Sequence, residues 1–150
     1  MNLICSGFGH RSLYYNINSD LINTITTLVE KEGVSLFFTG GMGDFDSAFS
    51  SAVRSVKQKH SDIKLILVKP YFSNELNTNK TFYETSYDDV IVPNELMGVH
   101  YKAAIQKRNR WMVDRSDFIL SCIYRDFGGA YQTIRYAKRI GKTVIDLVKQ

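Results

Sequence analysis

Three glycine-bearing stretches, with a few charged residues beside them, are the parts of this 150-residue chain equipped for chemistry. The richest is Thr39-Gly40-Gly41-Met42-Gly43-Asp44-Phe45-Asp46, which follows the apolar run Val34-Ser35-Leu36-Phe37-Phe38 and leads into a helix-period pattern at Phe45. Glycines at such a junction let the backbone turn sharply and let another molecule approach main-chain N–H groups, which at a helix N-terminus attract anions. Gly40, Gly41 and Gly43 therefore point to phosphate or carboxylate binding. Asp44 and Asp46 supply acids beside it. A carboxylate so placed can stabilise positive charge that develops on a bound molecule and can activate water. Helix capping or acceptance of a ribose hydroxyl is the other use of these aspartates. The second stretch, Gly7-Phe8-Gly9-His10-Arg11, brings a histidine able to bond phosphate or ribose; the third is Gly128-Gly129, preceded by Asp126. Arg108, Trp111 and Arg115 recur at i, i+3 and i+7, and their guanidinium groups suit bidentate phosphate contacts, while Trp111 reads as core.

Positioning these groups requires regular elements, and the apolar periodicity supplies them. Asn2-Leu3-Ile4-Cys5-Ser6 reads as a strand ended by Gly7 and Gly9. Leu21, Ile25, Leu28 and Val29 predict a helix from Asp20 to Glu32, with Asn18 or Ser19 as N-cap and Gly33 just past its end. After the central strand and turn, Phe45, Ala48, Phe49, Ala52, Val53 and Val56 mark a second amphipathic helix. A strand at 63–68 exits at Lys69-Pro70-Tyr71, because proline cannot donate to a ladder. From Tyr71 to Asp89 the chain is polar yet carries five aromatic residues, and it reads as a loop serving as a lid or subunit contact. Val90-Ile91-Val92, a helix from about His100 to Asp114, a strand at 118–123, a helix with Ala130, Ile134, Ala137 and Ile140 inward and ending at Gly141, and a last strand at 143–148 complete the series. Alternating strands and helices, with strands apolar on both faces, predict an open, mostly parallel α/β sheet with helices on both faces.

Of the ten glycines, seven follow the first, second and fifth strands, and in a parallel sheet those turns share one edge. Ligands of open α/β proteins bind outside the carboxyl ends of the strands, so the three turns are expected to form one site. Gly7-Phe8-Gly9-His10-Arg11-Ser12 lacks the third glycine of the dinucleotide fingerprint, and no Gly-Lys-Ser/Thr of a P-loop occurs, which disfavours the usual hydride-transfer and ATPase chemistries. His10, His60 and His100 are not spaced as metal ligands, so no metal or cofactor is expected. A 44% hydrophobic content suits one domain, 1–150, with a single sizeable core. No apolar run approaches the roughly 18 residues that span a bilayer, so a cytoplasmic protein is expected. Cys5 and Cys122 lie in apolar runs and read as buried thiols. A net charge of +4 and a pI near 9.0 fit an anionic small ligand at least as well as a nucleic acid.

Gly9-His10-Arg11, Thr39-Gly40-Gly41-Met42-Gly43-Asp44-Phe45-Asp46, Lys69-Pro70-Tyr71, Arg108-Asn109-Arg110-Trp111-Met112-Val113-Asp114 and Gly128-Gly129 with Thr133 together resemble the SLOG superfamily, closest to its small single-domain bacterial and phage members. This superfamily joins the cytokinin-activating LOG phosphoribohydrolases with DNA-processing-protein-A-like proteins. The resemblance implies a Rossmann-like domain with a nucleotide-like ligand against Gly7, Gly9, His10, Arg11, Gly40, Gly41, Gly43, Asp44, Pro70, Tyr71, Arg108, Gly128, Gly129 and Thr133. LOG enzymes hydrolyse the N-glycosidic bond of nucleoside monophosphates with a helical arginine and a glutamate after a Gly-Gly-x-Gly-Thr turn. Arg108 stands where that arginine would be. The glutamate is absent: the turn reads Gly128-Gly129-Ala130-Tyr131-Gln132-Thr133, one residue longer, with Arg135 or Tyr136 near the acid's place.

The leading expectation is thus a protein that binds a nucleotide or nucleotide-derived ligand as sensor, carrier or sequestering protein. An N-glycoside hydrolase acting through Asp44 or Asp46, with Arg108, is the alternative. Single-stranded nucleic-acid binding is the third, and homo-oligomerisation, without membrane attachment, is expected.

Overall fold

The computed structural model describes residues 2–148. Six strands, β1 (Leu3–Gly9), β2 (Val34–Thr39), β3 (Lys64–Val68), β4 (Asp89–Ile91), β5 (Phe118–Cys122) and β6 (Thr143–Asp146), pair in the order β4-β3-β2-β1-β5-β6. Every pairing is parallel, so the expected open α/β sheet is present. The helices are α1 (Asn18–Glu32), α2 (Asp44–Lys57), α3 (Glu75–Thr78), α4 (Lys80–Ser86), α5 (Tyr101–Arg115) and α6 (Gly129–Arg139).

Strand side chains alternate between two cores. Cys5, Phe37, Leu65 and Leu120 meet Leu21, Ile25 and Leu28 of α1 and Phe45, Phe49 and Val53 of α2. On the opposite face Phe8, Phe38, Val68 and Ile119 meet Met112 and Val113 of α5 and Ile134 and Ala137 of α6. Both faces are thereby removed from water, which is why these strands are nearly continuous apolar runs. From the centre the chain winds outward through β2, β3 and β4 with α1 and α2 on one face, then returns across to β5 and β6 with α5 and α6 on the other. The strand order reverses between β1 and β5, the position where open α/β sheets leave a crevice.

Several local expectations are corrected. Gly7 and Gly9 belong to β1 itself rather than to a turn after it. A Cβ on Gly9 would stand 2.3 Å from the Phe45 ring, and one on Gly7 2.8 Å from Phe49, so these glycines bring α2 close to the central strand. Helix α1 starts at Asn18 with Ile17 as N-cap; Asn16, one residue earlier, takes the Asn18 N–H on its Oδ1 at 2.8 Å, and neither Asn18 nor Ser19 caps. The segment read as a loop between Tyr71 and Asp89 contains the short helices α3 and α4. Ile140 points out to solvent, because α6 stops at Arg139 and Ile140 leaves helical geometry as its C-cap. Strands β3, β5 and β6 are shorter than the apolar runs that encode them, since Ile63, Ile123 and Leu147 pack against the cores outside the strand bounds, and β4 begins one residue before its run, at Asp89. Cys5 and Cys122 are buried free thiols.

Gly9→Ala should lower stability by roughly 1–3 kcal/mol, as overpacking of a filled core does. Urea denaturation checks this, and the cost should shrink in a Phe45→Leu background, where the ring in the way is gone.

Candidate functional site

At the reversal point the ends of β1, β2 and β5 open onto a cleft of about 310 Å³. One wall is the segment Gly9 to Ser12, the second is Gly40 and Met42 with Asp46, the third is Arg125 and Phe127 to Ala130, and Ile105, Arg108 and Asn109 of α5 close the side. All three glycine stretches therefore converge, as their strand positions require.

The two helix N-termini beside the cleft differ in what they leave open. Before α2, the Gly41 N–H donates to Thr39 Oγ1 (3.2 Å), the Met42 N–H to Asp46 Oδ2 (2.8 Å) and the Asp44 N–H to the Arg11 carbonyl (2.7 Å). Asp46 occupies the third helical position and reaches back past the N-cap, Gly43, so the chain's own carboxylate takes the place an anion would. Gly43 has φ +93°, and a Cβ there would lie 2.6 Å from Arg11 Cα; only glycine lets this turn pack against the β1–α1 segment. Before α6, the N-cap Gly128 brings no capping side chain, and the first-turn N–H groups of Gly129 and Ala130 have no acceptor within the helix. Those residues line the cleft together with the Arg11 and Arg125 side chains. Unclaimed N–H donors at the cleft thus lie at the third turn, whereas those of the central one are taken within the chain.

Arg108 is 2% exposed. Its Nη1 donates to the Gly40 carbonyl (3.2 Å) and the Val68 carbonyl (2.9 Å), its Nε to Asn109 Oδ1 (2.9 Å), and its Nη2 contacts Met42 Sδ at 3.5 Å. Asn109 Nδ2 in turn donates to Thr133 Oγ1 (3.1 Å), which donates to the Gly129 carbonyl (2.9 Å). This relay joins the ends of β2 and β3 to the first turn of α6. Arg108 and Thr133 work in it as supports, with Arg108 also at the cleft's side wall. Burial draws the Arg108 pKa down from its ordinary value, and the charge of Asp46 opposes that.

Asp46 stands at the cleft with its pKa raised to about 6; burial is the chief cause, offset in part by the Met42 N–H and by the charges of Arg108 and Arg11. Asp44 is exposed, accepts the Leu13 N–H at 3.0 Å on Oδ2, and lies outside the cleft, as does the exposed Asp126. His10, 7% exposed, accepts the N–H groups of Tyr124 and Arg125 on Nε2, both at 3.2 Å. Burial, with the nearby Arg125, holds its pKa below the usual value, so the ring is a neutral acceptor that fixes the β5–α6 segment. Pro70 is buried and Tyr71 is exposed beyond β3, and neither lines this cleft. Gly41 and Gly43 face a second cleft of about 290 Å³, whose other walls include Arg54, Lys69 and Tyr87. Gly7 lines neither. Trp111 is partly buried, stacks on Phe38 with ring centres 5.8 Å apart, and donates to Glu95, which fits the core reading. Among the described residues no three His, Cys, Asp or Glu side chains converge to hold a metal ion. Arg125, Phe127 and Asn109 are cleft or relay residues that motif spacing did not single out; for the first two, proximity to Gly128 was the available signal.

No protein-family model matches the sequence. The SPbeta prophage-derived protein YoqJ of Bacillus subtilis (strain 168) is 28% identical over 138 residues, which cover 82% of this chain and 81% of YoqJ. Among solved structures, DNA processing protein A from Helicobacter pylori, described with a single-stranded DNA binding mode, superposes with a TM-score of 0.67 at 17% identity over 99% of this chain. This chain spans 66% of that protein's length. The molybdenum cofactor binding protein from Rippkaea orientalis superposes with a TM-score of 0.61 at 19% identity, covering 97% of this chain and 76% of its own. The chain accordingly has the Rossmann-like, all-parallel α/β fold that these structures share. No helix among the described residues is long and apolar enough to cross a membrane.

Asp46 yields a pH test. Its folded pKa is raised above the unfolded value of 3.8, so its contribution to stability is fully present below about pH 4 and is lost as pH rises through 6. Asp46→Asn, which keeps an acceptor for the Met42 N–H, should match the unaltered protein near pH 4 and exceed it above pH 6.5, by on the order of 2 kcal/mol. Melting curves of both proteins across this range give the comparison.

Proposed function

We propose that this protein binds a nucleotide or nucleotide-derived ligand in the cleft at the strand-order reversal, with a phosphate at the N-terminus of α6. The observation that carries this reading is the meeting, in one cleft, of the open N–H groups of Gly129 and Ala130 with Arg11 and Arg125. Oriented N–H groups and guanidinium forks together suit a phosphate better than either would alone. Arg108, His10 and Thr133 act by holding the cleft's walls, and Gly9 and Gly40 by letting those walls approach. The structural neighbours described as binding single-stranded DNA or the molybdenum cofactor support a phosphate-bearing partner in general. A sensor, carrier or sequestering role follows for a ligand that is held and not consumed. The exposed Phe72 and Phe82 of the segment between β3 and β4 support self-association.

Calorimetry with nucleoside monophosphates, ADP-ribose and a short single-stranded oligonucleotide tests the reading. Binding of a mononucleotide or ADP-ribose is expected, weakened about tenfold or more by Arg125→Ala, as loss of a charge-assisted contact implies. Absence of binding to every small ligand would overturn it, and a tight oligonucleotide complex with a steep salt dependence would replace it by nucleic-acid binding.

A second reading, N-glycoside hydrolysis, is favoured by one observation: Asp46 lines the cleft with its pKa raised to about 6, a range in which a carboxyl group can exchange a proton during catalysis. Chromatography of nucleoside monophosphates incubated with the protein should then show free base and ribose 5-phosphate, and Asp46→Asn should abolish the release while the fold persists. No release by the unaltered protein removes this reading and leaves binding intact.

A further inference from the structure

Phe127 is 61% exposed, an apolar ring turned to solvent at the rim of the proposed phosphate cleft. It immediately precedes Gly128, the N-cap of α6, and so stands beside the N–H groups assigned to the phosphate. The segment that carries it is held in place, since His10 Nε2 accepts the N–H groups of Tyr124 and Arg125 just upstream. The Arg125 guanidinium lies 5.8 Å from the Phe127 ring centre, and 5.4 Å and 5.5 Å from those of Tyr14 and Tyr124. Tyr14, 71% exposed, bonds Arg125 Nη2 through its hydroxyl. A phenyl ring left in water contributes none of the burial free energy it could supply. Here the ring sits on an anchored backbone, with a cation beside it and anion donors next in sequence.

Resting on the nucleotide reading above, we infer that the ligand carries a planar heteroaromatic ring that stacks on Phe127 at the cleft mouth, with Arg125 beside it. A phosphate at Gly129 and Ala130 leaves the sugar and base of a nucleotide pointing out of the cleft, toward Phe127. Stacking uses the π-face that every base has and reads no edge pattern, so this position sets a requirement for an aromatic ring and discriminates little among bases. Arg125 contributes twice, to the phosphate as a donor and to the ring as a cation over an aromatic face. Phe127 is thus a specificity residue: it separates nucleotides from sugar phosphates and inorganic phosphate.

Calorimetric titration of the unaltered protein, Phe127→Ala and Phe127→Trp with AMP, GMP, CMP, UMP and ribose 5-phosphate tests this. The exposed site lets all three proteins fold, which circular dichroism verifies. For each nucleotide that binds, Phe127→Ala should weaken affinity about tenfold or more, in line with the loss of one base stack. Phe127→Trp should restore it. Ribose 5-phosphate affinity should change by less than about twofold. Unchanged nucleotide affinity in Phe127→Ala, or an equal loss for nucleotides and ribose 5-phosphate, would overturn the stacking role while leaving the cleft as a phosphate site. A change of oligomeric state in Phe127→Ala, measured by sedimentation, would assign the ring to a subunit contact and also overturn it. If the unaltered protein binds neither the nucleotides nor ribose 5-phosphate, the nucleotide reading itself fails, and the stacking role with it.

Discussion

A single buried cation holds the functional edge of this fold together. Arg108 reaches from α5 across the ends of two strands and bonds the carbonyls of Gly40 and Val68, groups that the sheet ladder no longer satisfies. Burying a guanidinium is costly unless its donors are matched, and unpaired carbonyls at a dry strand end are costly as well; each need meets the other here. The relay continues through Asn109 and Thr133 to the Gly129 carbonyl. The first turn of α6 is therefore fixed relative to β2 and β3, which lie two and three strands from β5, so the donors that line the cleft are held in place by the fold itself.

The contrast between the two glycine turns is electrostatic. The one before α2 is neutralised from within, since Asp46 and Thr39 take N–H groups that an anion would otherwise find. The one before α6 has only glycine at its cap, and its neighbours are Arg125 of the same segment and Arg11 of the β1–α1 segment. Two turns of similar composition on the same edge thus differ in what they leave open: one is closed by its own side chains and places a carboxyl group of raised pKa at the cleft, and the other keeps free N–H groups beside two arginines. The second cleft, beyond Gly41 and Gly43, shares a wall with the first through Gly40.

Much of this was legible in the sequence, and for identifiable reasons. Strands covered on both faces read as unbroken apolar runs, so six strands, their parallel arrangement and the shared edge of the three turns follow from periodicity. Helix α2 could be read because Phe45, Phe49 and Val53 mark one face. Arg108 shows the limit. On a helical wheel it shares a stripe with the solvent-facing Arg115, and nothing local indicates that strand carbonyls forty and sixty-eight residues away converge on it. Gly7 and Gly9 were readable as glycines next to an apolar run, but whether glycine admits a turn or a neighbouring ring depends on what packs there, and Phe45 is thirty-six residues distant. Asn109 and Thr133 stand in stretches the sequence picks out, but their supporting role does not show there, because it depends on a contact across twenty-four residues.

The exposure of Phe127 has a consequence for how such a protein can change over time. Residues that hold the cleft, such as Arg108, Asn109, Thr133 and Gly9, are bound into the interior, and altering them disturbs the sheet. Phe127, Arg125 and Tyr14 stand on the rim, where substitution leaves the packing untouched. On the binding reading proposed for the cleft, the choice of ligand is therefore separable from foldability. The rim side chains are thus free to vary where the interior is not, and a shared fold at 17–19% identity with the solved structures shows how little of the sequence such a sheet fixes.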